Sequence, residues 1–451
     1  MFQITASKLK DEVKYFRMIL KQHGYFWDVG QLRNNFLYNR TLNPETVKKL
    51  WQDFLNLSQG GGLNRCVDIY VHIPFCSSKC CYCMYPSRIL ENSKDIDRYV
   101  DYLIENMDYY ALTFKNFTFR NLYVGGGTPT ILDKKQMERL FSHLFNKFSF
   151  VKNSQKTTEC NPHSSQEPKF TTLRKFGFNR ISFGVQSLNP RVLHLHKRSY
   201  QEYQQIKRSI LLARKVGFKD INVDLMVGLA GDSLDHFRQS FLKIAMLEPD
   251  NIVVYGLMPP SKDYLLRCLK MSRYHYFMRH YPRMIFRALE IMKSLSQKFG
   301  YGPDSLDPYG WRWGFHKKSH AVTYESETYS GEFGGSILGL GVFSRSCICE
   351  QFEYRQSSQT QHFESSADIY EGRYFRQKEA MIRYIINKID RDSKISLGSF
   401  RNIFHCDCRD VFPYAFYALK VLEKIRIIDD DLYLIIKKPE DKYIYTLFFC
   451  R

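Results

Sequence analysis

Four cysteines fall within eight residues, Cys76-Ser-Ser-Lys-Cys80-Cys81-Tyr-Cys83. Read as C-x3-C-x2-C, the thiolates of Cys76, Cys80 and Cys83 can ligate three irons of a [4Fe–4S] cube and leave the fourth iron open to a substrate or cofactor. A zinc site would want a fourth protein ligand, and its cysteines usually come as two separated pairs. Cys81, adjacent to Cys80, points elsewhere and is not expected to be a ligand. The other eight cysteines, including the pairs Cys347/Cys349 and Cys406/Cys408, read as buried or incidental thiols. A disulfide framework is not expected in a chain of this length without a secretory signal.

A second motif, Gly125-Gly-Gly-Thr-Pro-Thr130, follows an apolar segment. Its three glycines let the backbone turn sharply and come close to a ligand. Pro129 argues against a phosphate-binding P-loop, which would continue into Gly-Lys-Ser/Thr.

Both motifs need elements to hold them. Strands are predicted at Asp68–Pro74, Arg120–Gly125, Thr157–Cys160, Arg180–Gln186, Asp220–Gly228 and Asn251–Gly256. Helical periodicity lies between them at Asp95–Phe114, Lys134–Phe148, Glu167–Phe176, Tyr200–Val216 and Leu234–Leu247. Strands separated by crossovers of this length pair in parallel. The fold class is therefore α/β, a partial (β/α)6 TIM-like barrel. The cysteine loop, the Gly-rich segment, Glu159 and Gln186 fall at the ends of the first four strands, and Asp224 lies in the fifth. In barrel folds that rim is where chemistry is built.

Four regions are expected. Residues 1–65 form an N-terminal helical extension covering the active site, and 66–260 form the barrel. Residues 261–376 extend it around a substrate pocket, where Gly334–Gly341 reads as a strand flanked by turns. Residues 377–451 form an accessory domain. There, helices at Gln377–Ile389, Leu397–Phe404 and Val411–Ile425 precede strands at Ile427–Ile428 and Leu432–Lys437, a winged-helix-like pattern.

Lys and Arg total 66 against 46 acidic residues, a net charge of +20 that favours anionic partners. The basic residues are scattered, so a nucleic-acid partner is not expected. No apolar run approaches the ~20 residues of a membrane span, and Met1 to Lys21 lacks the apolar core of a signal peptide. A cytoplasmic monomer acting on a small molecule is expected.

The two motifs together resemble the radical S-adenosylmethionine (radical SAM) enzymes. More closely, the chain resembles the oxygen-independent coproporphyrinogen III oxidase family. That likeness rests on Tyr70-Val-His-Ile-Pro-Phe-Cys76, Gly125–Thr130, Glu159-Cys-Asn-Pro162, Asn179-Arg-Ile-Ser-Phe-Gly-Val-Gln-Ser187, Asp224-Leu-Met-Val-Gly228 and Leu338-Gly-Leu-Gly341. The resemblance implies a [4Fe–4S] cluster on Cys76, Cys80 and Cys83, with one SAM chelated by its open iron. Tyr70, Gly126 and Glu159 would contact that SAM. A second SAM beside the first is implied, with Tyr82, Gly127, Thr128, Gln186, Arg198 and Asp224 around it. An electron donor such as flavodoxin or ferredoxin is implied as a partner.

Two departures bear on the substrate. Tyr85 stands where the coproporphyrinogen enzymes have a further Cys, and Gly228-Leu-Ala-Gly-Asp-Ser233 lacks the usual Pro-Gly-Gln-Thr. Relatives with the same SAM motifs include C-methyltransferases, cyclopropanases, anaerobic haem-degrading methyltransferases and haem chaperones. Chiefly because of Tyr85, the expected activity is that of a class C methyltransferase-like enzyme, transferring a SAM-derived carbon to an sp² carbon. The alternatives are oxidative decarboxylation of a porphyrinogen propionate and a non-catalytic haem-binding role.

Overall fold

Seven parallel strands make the centre of the computed structural model, which describes residues 4–22, 40–57, 66–257, 274–303, 312–319, 335–348, 352–356, 370–392, 394–437 and 441–450. In chain order the sheet strands are β1 (Arg40–Leu42), β2 (Val67–Ile73), β3 (Leu122–Gly126), β4 (Lys156–Cys160), β5 (Arg180–Gln186), β6 (Asp220–Val227) and β7 (Asn251–Gly256). They continue as β8 (Tyr301–Pro303), β9 (Arg312–Lys317), β10 (Ser336–Leu340), β11 (Arg345–Ile348), β12 (Phe352–Gln356) and β13 (Tyr370–Tyr374). Their spatial order is β1-β13-β12-β11-β10-β2-β3-β4-β5-β6-β7-β9-β8. β2 to β7 run parallel, as the open-barrel reading expects. The Gly334–Gly341 segment supplies the seventh parallel strand, β10, which lies beside β2.

The parallel strands carry apolar residues on the face covered by helices. On β2, Ile69, Val71 and Ile73 are fully buried in the core, and alternation turns Asp68, Tyr70 and His72 to the opposite face. The crossover helices are Ser93–Ala111, Lys134–Lys147, Glu167–Lys175, Tyr203–Lys215 and Leu234–Ala245. Local signals set their starts: Asn92 and Ser233 accept backbone N–H groups, and Asp133 forms a reciprocal capping box with Gln136. A short helix, Pro190–Leu195, was not expected; it is too brief for apolar periodicity to reveal, although Asn189 caps it and Pro190 opens it. β8 and β9 extend the sheet at one edge, and β11 to β13 with β1 at the other, all antiparallel.

The carboxy-terminal region has its own core, separate from that of the barrel. Helices Gln377–Asp392, Leu397–Phe404, Cys408–Val411 and Pro413–Val421 pack with a three-stranded sheet, Lys394–Ser396, Asp431–Leu434 and Ile425–Ile428. The expected hairpin is present with shifted ends, and Lys394–Ser396 is an additional strand.

The first helix, Ala6–Gln22, packs with the carboxy-terminal region. Its Leu9 and Phe16 belong to the carboxy-terminal core. Tyr414 donates a hydrogen bond to Glu12 at 2.5 Å, and Arg17 pairs with Asp441 at 3.3 Å. The helix has an amphipathic face, and the terminal module buries it. Helix Pro44–Leu57 packs on the barrel instead, where Trp51 donates to the Tyr354 hydroxyl at 2.7 Å.

Candidate cofactor site

The cysteine loop leaves β2 at Pro74 and is stitched to the Gly-rich end of β3. The Gly127 N–H donates to the Ile73 carbonyl at 2.8 Å, and the Thr128 N–H donates to the Phe75 carbonyl at 2.8 Å. The Thr128 hydroxyl lies 3.6 Å from the Cys76 sulfur. A methyl group at Gly127 would stand 2.5 Å from the Phe75 carbonyl oxygen and 3.0 Å from the Cys76 sulfur. At Gly126, φ is +114°, and a side chain there would strike the His72 ring. Glycine at both positions is thus a steric requirement of this crossing.

Cys80 and Cys83 close a turn in which the Cys83 N–H donates to the Cys80 carbonyl at 3.1 Å. Burial pushes the Cys83 thiol up to about 11 and raises that of Cys76. Sheltered thiols of this kind ionise when a bound metal takes the charge. Three thiolates on one short loop suit a [4Fe–4S] cube, in which three of the four irons each take one of them, so the donor set fits that group. Cys81 sends its thiol to the Leu195 carbonyl, 3.6 Å away.

Glu159, next to last on β4, lies beneath the glycines. Its carboxylate accepts from the Tyr123 hydroxyl at 2.8 Å and from the Gly126 N–H at 3.1 Å. Burial, helped by the nearby Asp224 charge, pushes its carboxyl up to about 7. Tyr70 sits beside it, its ring 6.1 Å from that of Tyr123 and its hydroxyl 2.9 Å from His72 Nδ1. The other His72 nitrogen lies 3.0 Å from the Pro86 carbonyl, and burial holds the imidazole down at about 4. His72 is therefore a neutral ring that ties β2 to the far end of the cysteine loop.

The remaining residues cluster around the end of β5. Gln186 has φ of +68°, next to a bulge where the register between β5 and β6 shifts. Arg198 is buried and donates to Cys80 Sγ (3.4 Å), the Gly184 carbonyl (2.5 Å) and Gln201 (2.7 Å). The Tyr82 hydroxyl is 3.5 Å from the same guanidinium. Sequence reading placed Arg198 and Tyr82 only around a second SAM; the structure also uses both to hold the cysteine loop against β5. Asp224 accepts from Ser182 at 3.0 Å and Asn222 at 2.7 Å, and burial raises its carboxyl above the usual range.

Sequence reading missed His72, Tyr123 and Gln201. The first two were detectable, because the two-residue period places Tyr70, His72 and Tyr123 on the face that carries Glu159. Gln201 lies in a loop and gave no periodic signal.

Comparison with known proteins agrees with this geometry. Residues 70–244 match the radical SAM superfamily. Over 415 residues, 85% of this chain and 83% of the relative, the sequence is 27% identical to the oxygen-independent coproporphyrinogen III oxidase of Synechocystis. It is 28% identical over 276 residues to the haem chaperone HemW of Lactococcus lactis, covering 59% of this chain and 68% of that protein. The fold superposes on the coproporphyrinogen III oxidase of Escherichia coli with a TM-score of 0.68 at 20% identity, covering 86% and 90% of the two chains. No helix among the described residues is long and apolar enough to cross a membrane. The three spaced cysteines on the loop after the first barrel strand and the glycine cradle crossing it thus lie inside the segment that matches the radical SAM superfamily, and the cofactors of this site are a [4Fe–4S] cluster and SAM.

Proposed function

We propose that this protein removes CO2 oxidatively from a propionate side chain of a porphyrinogen, leaving a vinyl group. The observation that carries this reading is the extent of the likeness to the Synechocystis oxidase, which runs through the barrel and beyond it to 85% of the chain. In this reaction the side chain gives up one hydrogen atom, CO2 and one electron, a two-electron oxidation that is balanced overall by cleavage of one SAM to methionine and 5′-deoxyadenosine. When bound, the cluster supplies the electron that cleaves SAM, and SAM supplies the group that takes the hydrogen atom. Cys76, Cys80 and Cys83 would hold the cluster, while Tyr70, Gly126 and Glu159 would hold the first SAM. Tyr82, Gly127, Thr128, Gln186, Arg198 and Asp224 would line the place of a second. The chain's own work is to fix these groups and exclude water. A flavodoxin or ferredoxin would deliver the electron.

Transfer of a SAM-derived carbon remains the second reading because of Tyr85, which is 52% exposed beside Cys83. Reduced protein incubated anaerobically with SAM and coproporphyrinogen III separates the possibilities. CO2 with a vinyl product is expected. S-adenosylhomocysteine together with 5′-deoxyadenosine would favour carbon transfer, and no turnover with retained haem would favour a chaperone like HemW.

The Glu159 environment gives a pH test of the first SAM position. An ammonium group of SAM needs the ionised carboxylate, and that carboxyl is pushed up to about 7. Below about pH 7 the neutral form dominates, so SAM affinity should weaken by about tenfold per pH unit and level off above 7. Glu159→Gln should bind weakly and flatten the profile in equilibrium dialysis of reconstituted protein. An unchanged profile in that variant would remove Glu159 from the SAM site.

A further inference from the structure

Across the arc of the barrel from the cysteine loop, three side chains stand at one level on neighbouring strands. β6 pairs Met226 with Tyr255 of β7, and Tyr255 pairs with Arg312 of β9. Alternation places Met226 on the face of β6 that carries Asn222 and Asp224. Tyr255 is next to the last residue of β7, and Arg312 opens the antiparallel β9. Both therefore lie at the rim from which the cysteine loop leaves β2. Arg312 donates a side-chain hydrogen bond to Tyr255, and its charge reaches Asp224. Met226 is half-buried, whereas Arg312 is exposed.

From this row we propose that Arg312, positioned by Tyr255, binds a carboxylate of the substrate, while Met226 and the Tyr255 ring support its apolar macrocycle. The inference rests on the porphyrinogen reading above and assigns that substrate's anchor. A thioether, a phenol ring and a guanidinium in line match a molecule with an apolar macrocycle and acidic arms. Arginine suits the task because its planar fork donates two parallel hydrogen bonds to a carboxylate. The cation faces the barrel mouth on the wall opposite the cysteine loop, so an anchored substrate would span the space between them.

The test measures binding of coproporphyrin III, the stable oxidised form of the porphyrinogen, to cluster-reconstituted protein with SAM. Its tetra-amide, in which all four carboxylates are neutral, serves as comparison. Wild type should prefer the acid, and Arg312→Ala should weaken acid binding by roughly ten- to a hundredfold while leaving amide binding unchanged. Arg312→Lys should recover part of the acid preference, which a structural role for the arginine would not predict. Tyr255→Phe should give a smaller loss through misplacement of the guanidinium. An acid-to-amide ratio in Arg312→Ala and Arg312→Lys equal to that of wild type would overturn the anchor and leave the porphyrinogen reading standing. Failure of wild type to bind either probe would overturn both.

Discussion

Cys76→Ala, Cys80→Ala and Cys83→Ala should each yield protein that cannot be reconstituted with a full [4Fe–4S] cluster, whereas Cys81→Ala should retain it. A cube on three cysteines loses one iron's protein ligand in each of the first three variants. Cys81 loses only a weak S–H contact to the Leu195 carbonyl. Iron and sulfide analysis with electron paramagnetic resonance of the reduced protein reads the result. Cys80→Ala should carry a further penalty, because Arg198 donates to that sulfur from a buried position. Stripping a hydrogen-bond acceptor from a buried charged donor costs on the order of 1–3 kcal/mol, so this variant should also be the least heat-stable of the three. Loss of the cluster in Cys81→Ala with retention in Cys80→Ala would show that the ligand register is shifted by one.

Gly127→Ala should be nearly as damaging, although it removes no polar atom. The added methyl group would lie 2.5 Å from the Phe75 carbonyl oxygen, a backbone atom that cannot rotate away. The two loops must then separate, which strains the bonds from Gly127 N–H to Ile73 and from Thr128 N–H to Phe75. Overpacking of this kind costs about 1–3 kcal/mol in stability. The functional loss should be larger, since the Gly-rich strand end and Cys76 would no longer meet at the cofactor. SAM binding should fall at least tenfold, with reduced cluster content. Gly302→Ala is the control, because its methyl would meet only Lys318 carbons at 3.7 and 3.8 Å. Cluster content and SAM affinity at wild-type levels in Gly127→Ala would mean that the crossing is not the cofactor cradle.

What could be read from the amino-acid order alone was whatever is encoded locally. The strands from β2 to β7 and the five crossover helices follow from two-residue and 3.6-residue periodicity and from caps such as Asp133. The candidate cluster ligands follow from spacing on one short loop, and the glycines from their place at a strand end. Length of the intervening helices made the strands parallel, hence a shared rim. These are properties of neighbouring residues, so the chain need not be folded to display them.

Tertiary structure decided the pairings. The Tyr123 hydroxyl meets Glu159 because β3 and β4 are neighbours in one register, and burial of that pair is what lifts the carboxyl to about 7. Arg198 serves Cys80 as well as the end of β5 because a loop distant in sequence folds back beneath the cysteines. The helix Ala6–Gln22 joined the carboxy-terminal core because its amphipathic face is complementary to apolar surface more than 350 residues away. Arg312 reached the rim only through the antiparallel addition of β9 to β7. Register, burial and the sharing of charge depend on which surfaces meet, and that is fixed when the whole chain closes its cores.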